Sequence, residues 1–327
     1  MRIVMMGTGL FAEPTFDALL AGADPVVGLV TQPDRDRGAV RASTRQTGRG
    51  MKEIALAYGV PVFQPESINT PEGIAQLREW RPDLLVVAAY GQILSRDVLA
   101  VPPQGGINVH GSLLPKYRGA APIAWAILGG ETETGVTIIR MSVALDAGDM
   151  LAQEAIAVGP DETAGEVEAR LAPVGARLAM RVIEQVRAGT TQGRKQDAAL
   201  VTKAPKLTKE QGAIDWRKHG RDVCNQVRAM QPWPTAYTFW RRLGQSPLRL
   251  ILLRATWRPA GPGEDTAPGM VLGEEGDLSR LGVMAGEGTV VEVTELQPDG
   301  KRRMAAADFL RGRRPRPGDF LGPEVKA

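Results

Sequence analysis

Residues 106–111 read GINVHG and place Asn108 and His110 two positions apart in a run that alternates apolar and polar. On a strand that spacing puts both side chains on one face. Gly105, Gly106 and Gly111 flank the pair and leave room for another group to approach closely. A side-chain amide beside an imidazole suits a developing oxyanion: the amide is a neutral donor, and the imidazole can donate or move a proton near neutral pH. Further along, TGVTIIRM (134–141) leads into ALDAGDM (144–150), a strand followed by a glycine-containing turn with Asp146 and Asp149. A carboxylate from that turn, brought beside His110, could orient the ring or favour its charged form. The set suggests acyl-type transfer through a tetrahedral intermediate. Each part also has a purely structural reading, in which the turn aspartate caps backbone donors.

Such a set needs elements to hold it. Arg2–Gly7, Pro25–Thr31, Val60–Gln64 and Leu84–Tyr90 read as strands, separated by helical patterns at Pro14–Leu20, Gly50–Tyr58 and Pro71–Trp80. This alternation predicts an α/β, Rossmann-like domain with a mostly parallel sheet and helices on both faces. Strands are further expected at Gly106–Gly111, Thr134–Met141 and Met150–Val158, then a long helix from Asp161, its N-cap, to Ala188. Residues 189–206 are polar, basic and broken by Gly and Pro, the texture of a linker. From 207 to 327 a helix at Arg217–Met230 is followed by short strand-like runs at Thr235–Trp240, Leu248–Thr256, Gly269–Leu272, Gly282–Ala285 and Gly288–Leu296. Their punctuation by Gly and Pro predicts a small antiparallel barrel or sandwich. The domains are thus 1–188, a linker at 189–206, and 207–327.

The opening VMMGTGLFAEP sets Gly7, Gly9 and Ala12 at the spacing of a dinucleotide-binding turn. The fingerprint is incomplete, because LVTQPD supplies Asp34 only beyond Pro33 and no acid stands at the tip of the second strand. One cysteine, Cys224, excludes an internal disulfide, and two histidines exclude a histidine-rich metal site. Cys224 reads as a helix-packing residue and His219 as a surface residue. No secretory signal is visible and the apolar run at Leu84–Leu94 is too short to cross a bilayer, so a cytoplasmic location with no membrane partner is expected. The net charge of +3 is unevenly spread: six basic residues and one acid lie between Arg35 and Lys52, and KRRM (301–304) and RGRRPRP (311–317) form further basic runs. Two such regions suggest a polyanionic partner.

INVHGSLLPKYRGAAPI with TGVTIIRM and LDAGDM resembles the signature of the 10-formyltetrahydrofolate-dependent formyltransferases. MGTGLFAEPTFDALL, LVTQPDR, VPVFQPESI, LLVVAAYGQIL, KLTKEQGAIDW and VRAMQPWPTAY extend the likeness along almost the whole chain, to the methionyl-tRNA formyltransferase family. The resemblance implies a Rossmann-like formyltransferase domain followed by a smaller OB-like barrel, and a first turn that is not a pyrophosphate cradle. It implies transfer of a formyl group from 10-formyltetrahydrofolate, a consumed co-substrate, to the α-amine of initiator methionyl-tRNA, giving formylmethionyl-tRNA for translation initiation. Asn108, His110 and Asp146 would be the catalytic residues, and Ser112, Leu113, Leu114 and Pro115 the folate-binding segment. Neither metal nor nicotinamide is implied, and nothing in the sequence demands more than a monomer. In this family an insertion after the second strand, here Asp34–Lys52, reaches the tRNA acceptor stem, and the barrel holds the RNA backbone. Arg41 and Arg45 are the residues expected to touch RNA, although the loop is arginine-rich where the family has lysines and a proline pair. TGLF replaces a common TPDF in the first turn, and Ala124 and Ala147 replace a common Gln and Thr. A same-fold enzyme acting on a ribonucleotide or amino sugar nucleotide is the alternative. A hydrolase of the folate, or a silent RNA binder on this scaffold, fits the second domain or the intact Asn/His/Asp set less well.

Overall fold

A computed structural model describes residues 1–34, 49–264, 266–272 and 279–324. Arg41 and Arg45, and most of the basic insertion that contains them, lie outside the described residues. The chain forms two units: Met1–Ala126 with Thr132–Val158 and Gly165–Lys206, and Leu207–Ala327 with the short pieces Ile127–Glu131 and Gly159–Ala164.

In the first unit the apolar runs become β1 (Ile3–Gly7), β2 (Val26–Val30), β3 (Val62–Phe63), β4 (Leu84–Ala88) and β5 (Gly106–His110). The intervening periodic segments become α1 (Glu13–Ala21), α2 (Met51–Ala57), α3 (Pro71–Trp80) and α4 (Arg96–Leu99). After β5 come β6 (Arg118–Gly119), α5 (Pro122–Leu128), β7 (Glu133–Arg140), β8 (Met150–Ala157), α6 (Ala164–Arg187) and β9 (Lys203–Ala204). The sheet order is β3-β2-β1-β4-β5-β7-β8, parallel as far as β5 and antiparallel beyond it. Every residue of β1 and β4 is buried, as in a strand covered on both faces.

The glycines after β1 answer a packing demand. A Cβ on Gly7 would stand 2.8 Å from the Ala12 Cβ and 3.0 Å from the Ala88 carbonyl oxygen, and Gly9 has φ +77°. Only glycine adopts that turn without strain while letting α1 close on β4. On the next strands, a Cβ on Gly175 of α6 would come within 2.7 Å of Val109 Cγ1. Helix α6 therefore lies tight against the Val109 face of β5, and the alternation of the strand turns Asn108 and His110 to the other face.

Two sequence expectations need correction. Helix α6 begins at Ala164, and Asp161 stands in the turn before it and is not its N-cap. The stretch 189–206, expected as a linker, is laid along the first unit: Met150 and Arg194 exchange N–H···O bonds of 2.8 and 2.9 Å, and β9 pairs with β6. These bonds are backbone to backbone and leave most of the side chains exposed, so its polar sequence carries no sign of them.

The second unit holds α7 (Gly220–Ala229), β10 (Ala236–Arg241), β11 (Leu248–Pro259), β12 (Val271–Leu272), β13 (Leu281–Ala285), β14 (Thr289–Pro298), β15 (Met304–Ala305), α8 (Ala306–Gly312) and β16 (Phe320–Gly322). The sheet runs β12-β13-β14-β11-β10-β16 with antiparallel neighbours, and a bridge between Met270 and Phe320 brings its two ends together. The result is a nearly closed antiparallel barrel. Beside it, His219 is half-buried and caps α7: its Nδ1 accepts from the Arg221 N–H at 3.0 Å, and its ring meets Trp257 edge-on at 4.7 Å. It is an architectural residue, not a free surface one. Cys224 is buried in α7, and burial pushes its thiol up to about 12, so it stays protonated and packs.

Candidate active site

Strand β5 runs between parallel β4 and antiparallel β7, with His110 opposite Thr137 and Asn108 opposite Ile139. Its end projects His110, 5% exposed, toward the turn that joins β7 to β8. That turn delivers Asp146, whose side chain is 10% exposed. Asp146 Oδ2 stands 3.6 Å from His110 Nδ1 and accepts the Gly119 N–H at 2.9 Å. Its Oδ1 lies 3.4 Å from Asn108 Nδ2. Amide, imidazole and carboxylate are therefore brought together from β5 and the β7–β8 turn. Asp149, the other acid of that turn, packs its side chain where a Cβ on Gly193 would lie and stands apart from the cluster.

The imidazole is held at one nitrogen and faces the carboxylate with the other. His110 Nε2 is 2.9 Å from the Tyr117 carbonyl, which can only accept, so Nε2 carries the proton of that contact. Nδ1 is then the nitrogen that faces the carboxylate. A proton at Nδ1 would be shared with Asp146, and the Asn108 amide has a second N–H to offer a reacting oxygen. The arrangement offers a developing oxyanion the neutral Asn108 donor, adds the Nε2–H of His110 when that hydrogen turns from the Tyr117 carbonyl, and can move a proton between ring and carboxylate.

Beside the cluster lies the Ser112–Pro115 segment. Ser112 is fully buried and its Oγ donates to the Lys116 carbonyl at 2.7 Å; Leu114, 3% exposed, packs with Ile139 and Met150. Leu113 and Pro115 are half-buried. Thr137 organises the segment: its Oγ1 donates to the Ser112 carbonyl at 2.7 Å and accepts the Leu114 N–H at 3.1 Å. Gln153 Nε2 donates to the same hydroxyl at 2.9 Å and to the Leu114 carbonyl at 3.0 Å. Sequence reasoning missed both supports. The register opposite His110 could have pointed to Thr137, whereas Gln153 sits on β8 with no local mark of its role.

A profile described as formyl transferase matches residues 1–183, and one described as formyl transferase, C-terminal domain, matches residues 206–314. The methionyl-tRNA formyltransferase of Geobacter metallireducens is 42% identical over 322 residues, 98% of this chain and 99% of that protein. That of Geotalea daltonii is 43% identical over 323 residues, 98% of each. Among solved structures, the N-formyltransferase of Helicobacter canadensis in complex with folinic acid and dTDP-3-aminofucose superposes with a TM-score of 0.66. It is 16% identical over 90% of this chain and 98% of that one, a likeness of fold. On these grounds the chain belongs to the methionyl-tRNA formyltransferase family.

Proposed function

We propose that this protein transfers a formyl group from 10-formyltetrahydrofolate to the α-amino group of initiator methionyl-tRNA. The observation that carries the reading is the cluster of Asn108, His110 and Asp146 in a chain that matches its tRNA-formylating relatives from end to end. The amine attacks the formyl carbon, and negative charge develops on the formyl oxygen. Asn108 Nδ2 donates its second N–H to that oxygen, and His110 joins it once its Nε2–H turns from the Tyr117 carbonyl, each donor of this kind contributing roughly 3–4 kcal/mol. Asp146 holds His110 in its useful orientation and takes part in moving the proton that the attacking nitrogen sheds. The leaving tetrahydrofolate nitrogen regains a proton, so the carrier departs neutral at that atom.

Ser112–Pro115 supports the pterin-like ring of the donor. Because Thr137 and Gln153 already engage the Ser112 carbonyl and both backbone polar groups of Leu114, the segment presents a preformed edge, with spare carbonyl lone pairs as acceptors. The domains act as 1–188 for chemistry and 207–327 for RNA. Arg41 and Arg45 in the insertion, together with the basic runs of the second unit, meet tRNA phosphates, a mode of binding that weakens steeply with salt. The protein works as a cytoplasmic monomer, and its chemistry runs on the folate as co-substrate with no metal.

The test is formyl transfer to charged initiator tRNA by wild type beside His110→Ala. We expect kcat to fall about 100- to 1,000-fold with tRNA binding retained. No transfer by wild type, with donor and tRNA shown intact, would overturn the tRNA reading and direct attention to ribonucleotide and amino sugar nucleotide acceptors.

A further inference from the structure

We propose that Gln196 is a positioning residue for Asp146, required for formyl transfer although it does not reach the reacting atoms. The inference rests on the catalytic reading of Asn108, His110 and Asp146.

The turn that presents Asp146 has little of its own to hold it. Asp146 sits at φ +48°, a left-handed conformation that costs energy for a residue with a Cβ unless its surroundings enforce it. Its neighbours Val143 and Leu145 are each 54% exposed, so apolar burial does not anchor the loop. Gly148 is confined by contact, since a Cβ there would collide with the Arg140 carbonyl oxygen.

Gln196 supplies the missing restraint. Its Nε2 donates to the carbonyls of Asp146 at 2.8 Å and Gly148 at 2.9 Å, one bond on each side of the bend. Its Oε1 accepts from Arg118 Nε at 3.0 Å and Nη2 at 2.8 Å. Two donors and two lone pairs are the full capacity of a glutamine side chain, and all are used. The guanidinium fixes which end of the amide faces the turn, because it can only donate.

The contacts close a circuit. Arg118 is followed by Gly119, whose N–H donates to Asp146 Oδ2 at 2.9 Å. Asp146 is thus gripped at its main chain by Gln196 and at its carboxylate by the residue after Gln196's own anchor. The segment bearing Gln196 is itself fixed on either side. Arg194 exchanges backbone bonds with Met150, and Thr202 accepts the Tyr117 N–H at its Oγ1 at 2.8 Å and the Arg118 N–H at its carbonyl at 2.9 Å. Between residues 192 and 200 Gln196 alone is half-buried; the others are exposed. A stretch that looks like a solvated connector therefore turns one side chain inward, at the back of the carboxylate that faces His110.

The experiment compares wild type with Gln196→Glu and Gln196→Ala. Glutamate keeps two oxygens for Arg118 and loses both hydrogens for the turn, so it removes the half of the contact that matters here. Three readouts are taken: kcat and KM for donor and methionyl-tRNA, the pH profile of kcat, and exchange of the Gly119 amide hydrogen. We expect Gln196→Glu to lower kcat about 100-fold, the effect of a displacement of about 1 Å at a reacting group. KM should be little changed, the acidic limb of the profile should move, and Gly119 exchange should quicken while the thermal midpoint stays near wild type. Arg118→Lys, which keeps the charge but not the forked geometry, should give a smaller change in the same direction. Unchanged kcat and profile in both Gln196 variants would overturn the proposal, as would a loss of rate that only follows the fraction unfolded. If wild type itself does not formylate methionyl-tRNA, the functional reading fails separately. Gly119 exchange then decides: quickened in Gln196→Glu it supports the grip on Asp146, and unchanged it refutes it.

Discussion

Thr137 shows how much a single hydroxyl can organise at this site. It is fully buried and engages Ser112, Leu114 and Gln153 at once. Thr137→Val keeps the shape and leaves the Leu114 N–H and Ser112 carbonyl without that partner. We expect a loss of about 1–3 kcal/mol in stability, the usual cost of unsatisfied buried polar groups, measured by denaturant unfolding. KM for the folate donor should rise with kcat little altered, since the variant disturbs the ring-binding edge and spares His110. Asn108 and His110 were legible in the sequence because strand alternation is a local rule that places two residues on one face. The glycine-bearing turn offered two carboxylates, Asp146 and Asp149, and only the family resemblance singled out Asp146. Thr137, Gln153 and Gln196 were not legible, because their roles arise from strand register and from a partner many residues away.

Among the elements, the parallel strands declared themselves through unbroken apolar runs, and the glycine turn after β1 through a pattern it shares with nucleotide-binding folds. The start of α6 was misplaced, because an acid before a helical pattern resembles a cap wherever it stands. Strand β16 escaped notice: three residues carry too short a pattern to read. Its approach is held by Asp319, 1% exposed, which receives Arg242 Nε at 2.8 Å and Nη2 at 2.6 Å. Burial alone would raise the Asp319 carboxyl, but the hydrogen bonds from Arg242 and the Arg316 N–H outweigh it and hold the group below its ordinary value. A carboxyl depressed in the folded state stabilises above its unfolded pKa, near 3.9. That contribution is lost as pH falls through the lower folded value. Asp319→Ala strands the Arg242 charge, and we expect a cost of about 3–5 kcal/mol, read from denaturant unfolding at neutral pH. The difference from wild type should begin to shrink below about pH 4, where the unfolded wild-type chain takes up this proton, and close as the pH falls through the lower folded value.

At the scale of the molecule, a catalytic α/β unit and an antiparallel barrel were both foreseeable from the change in texture after residue 188, from long alternating segments through a polar stretch to short punctuated ones. What texture could not give was how the barrel's ends meet. Met270 and Phe320 pair across the gap, with the Val271 N–H on the Asp319 carbonyl at 3.1 Å and the Leu321 N–H on the Gly269 carbonyl at 2.7 Å. Those few bonds take up donors and acceptors that would otherwise line two open strand margins. Unpaired margins template association between copies of a chain. A protein ended after Pro317 would expose the margins of β10 and β12 together. We expect it to bind a hydrophobic dye and scatter light at concentrations where the intact chain stays clear. The last short strand thus guards colloidal behaviour as well as shape, keeping the molecule from recruiting its own kind.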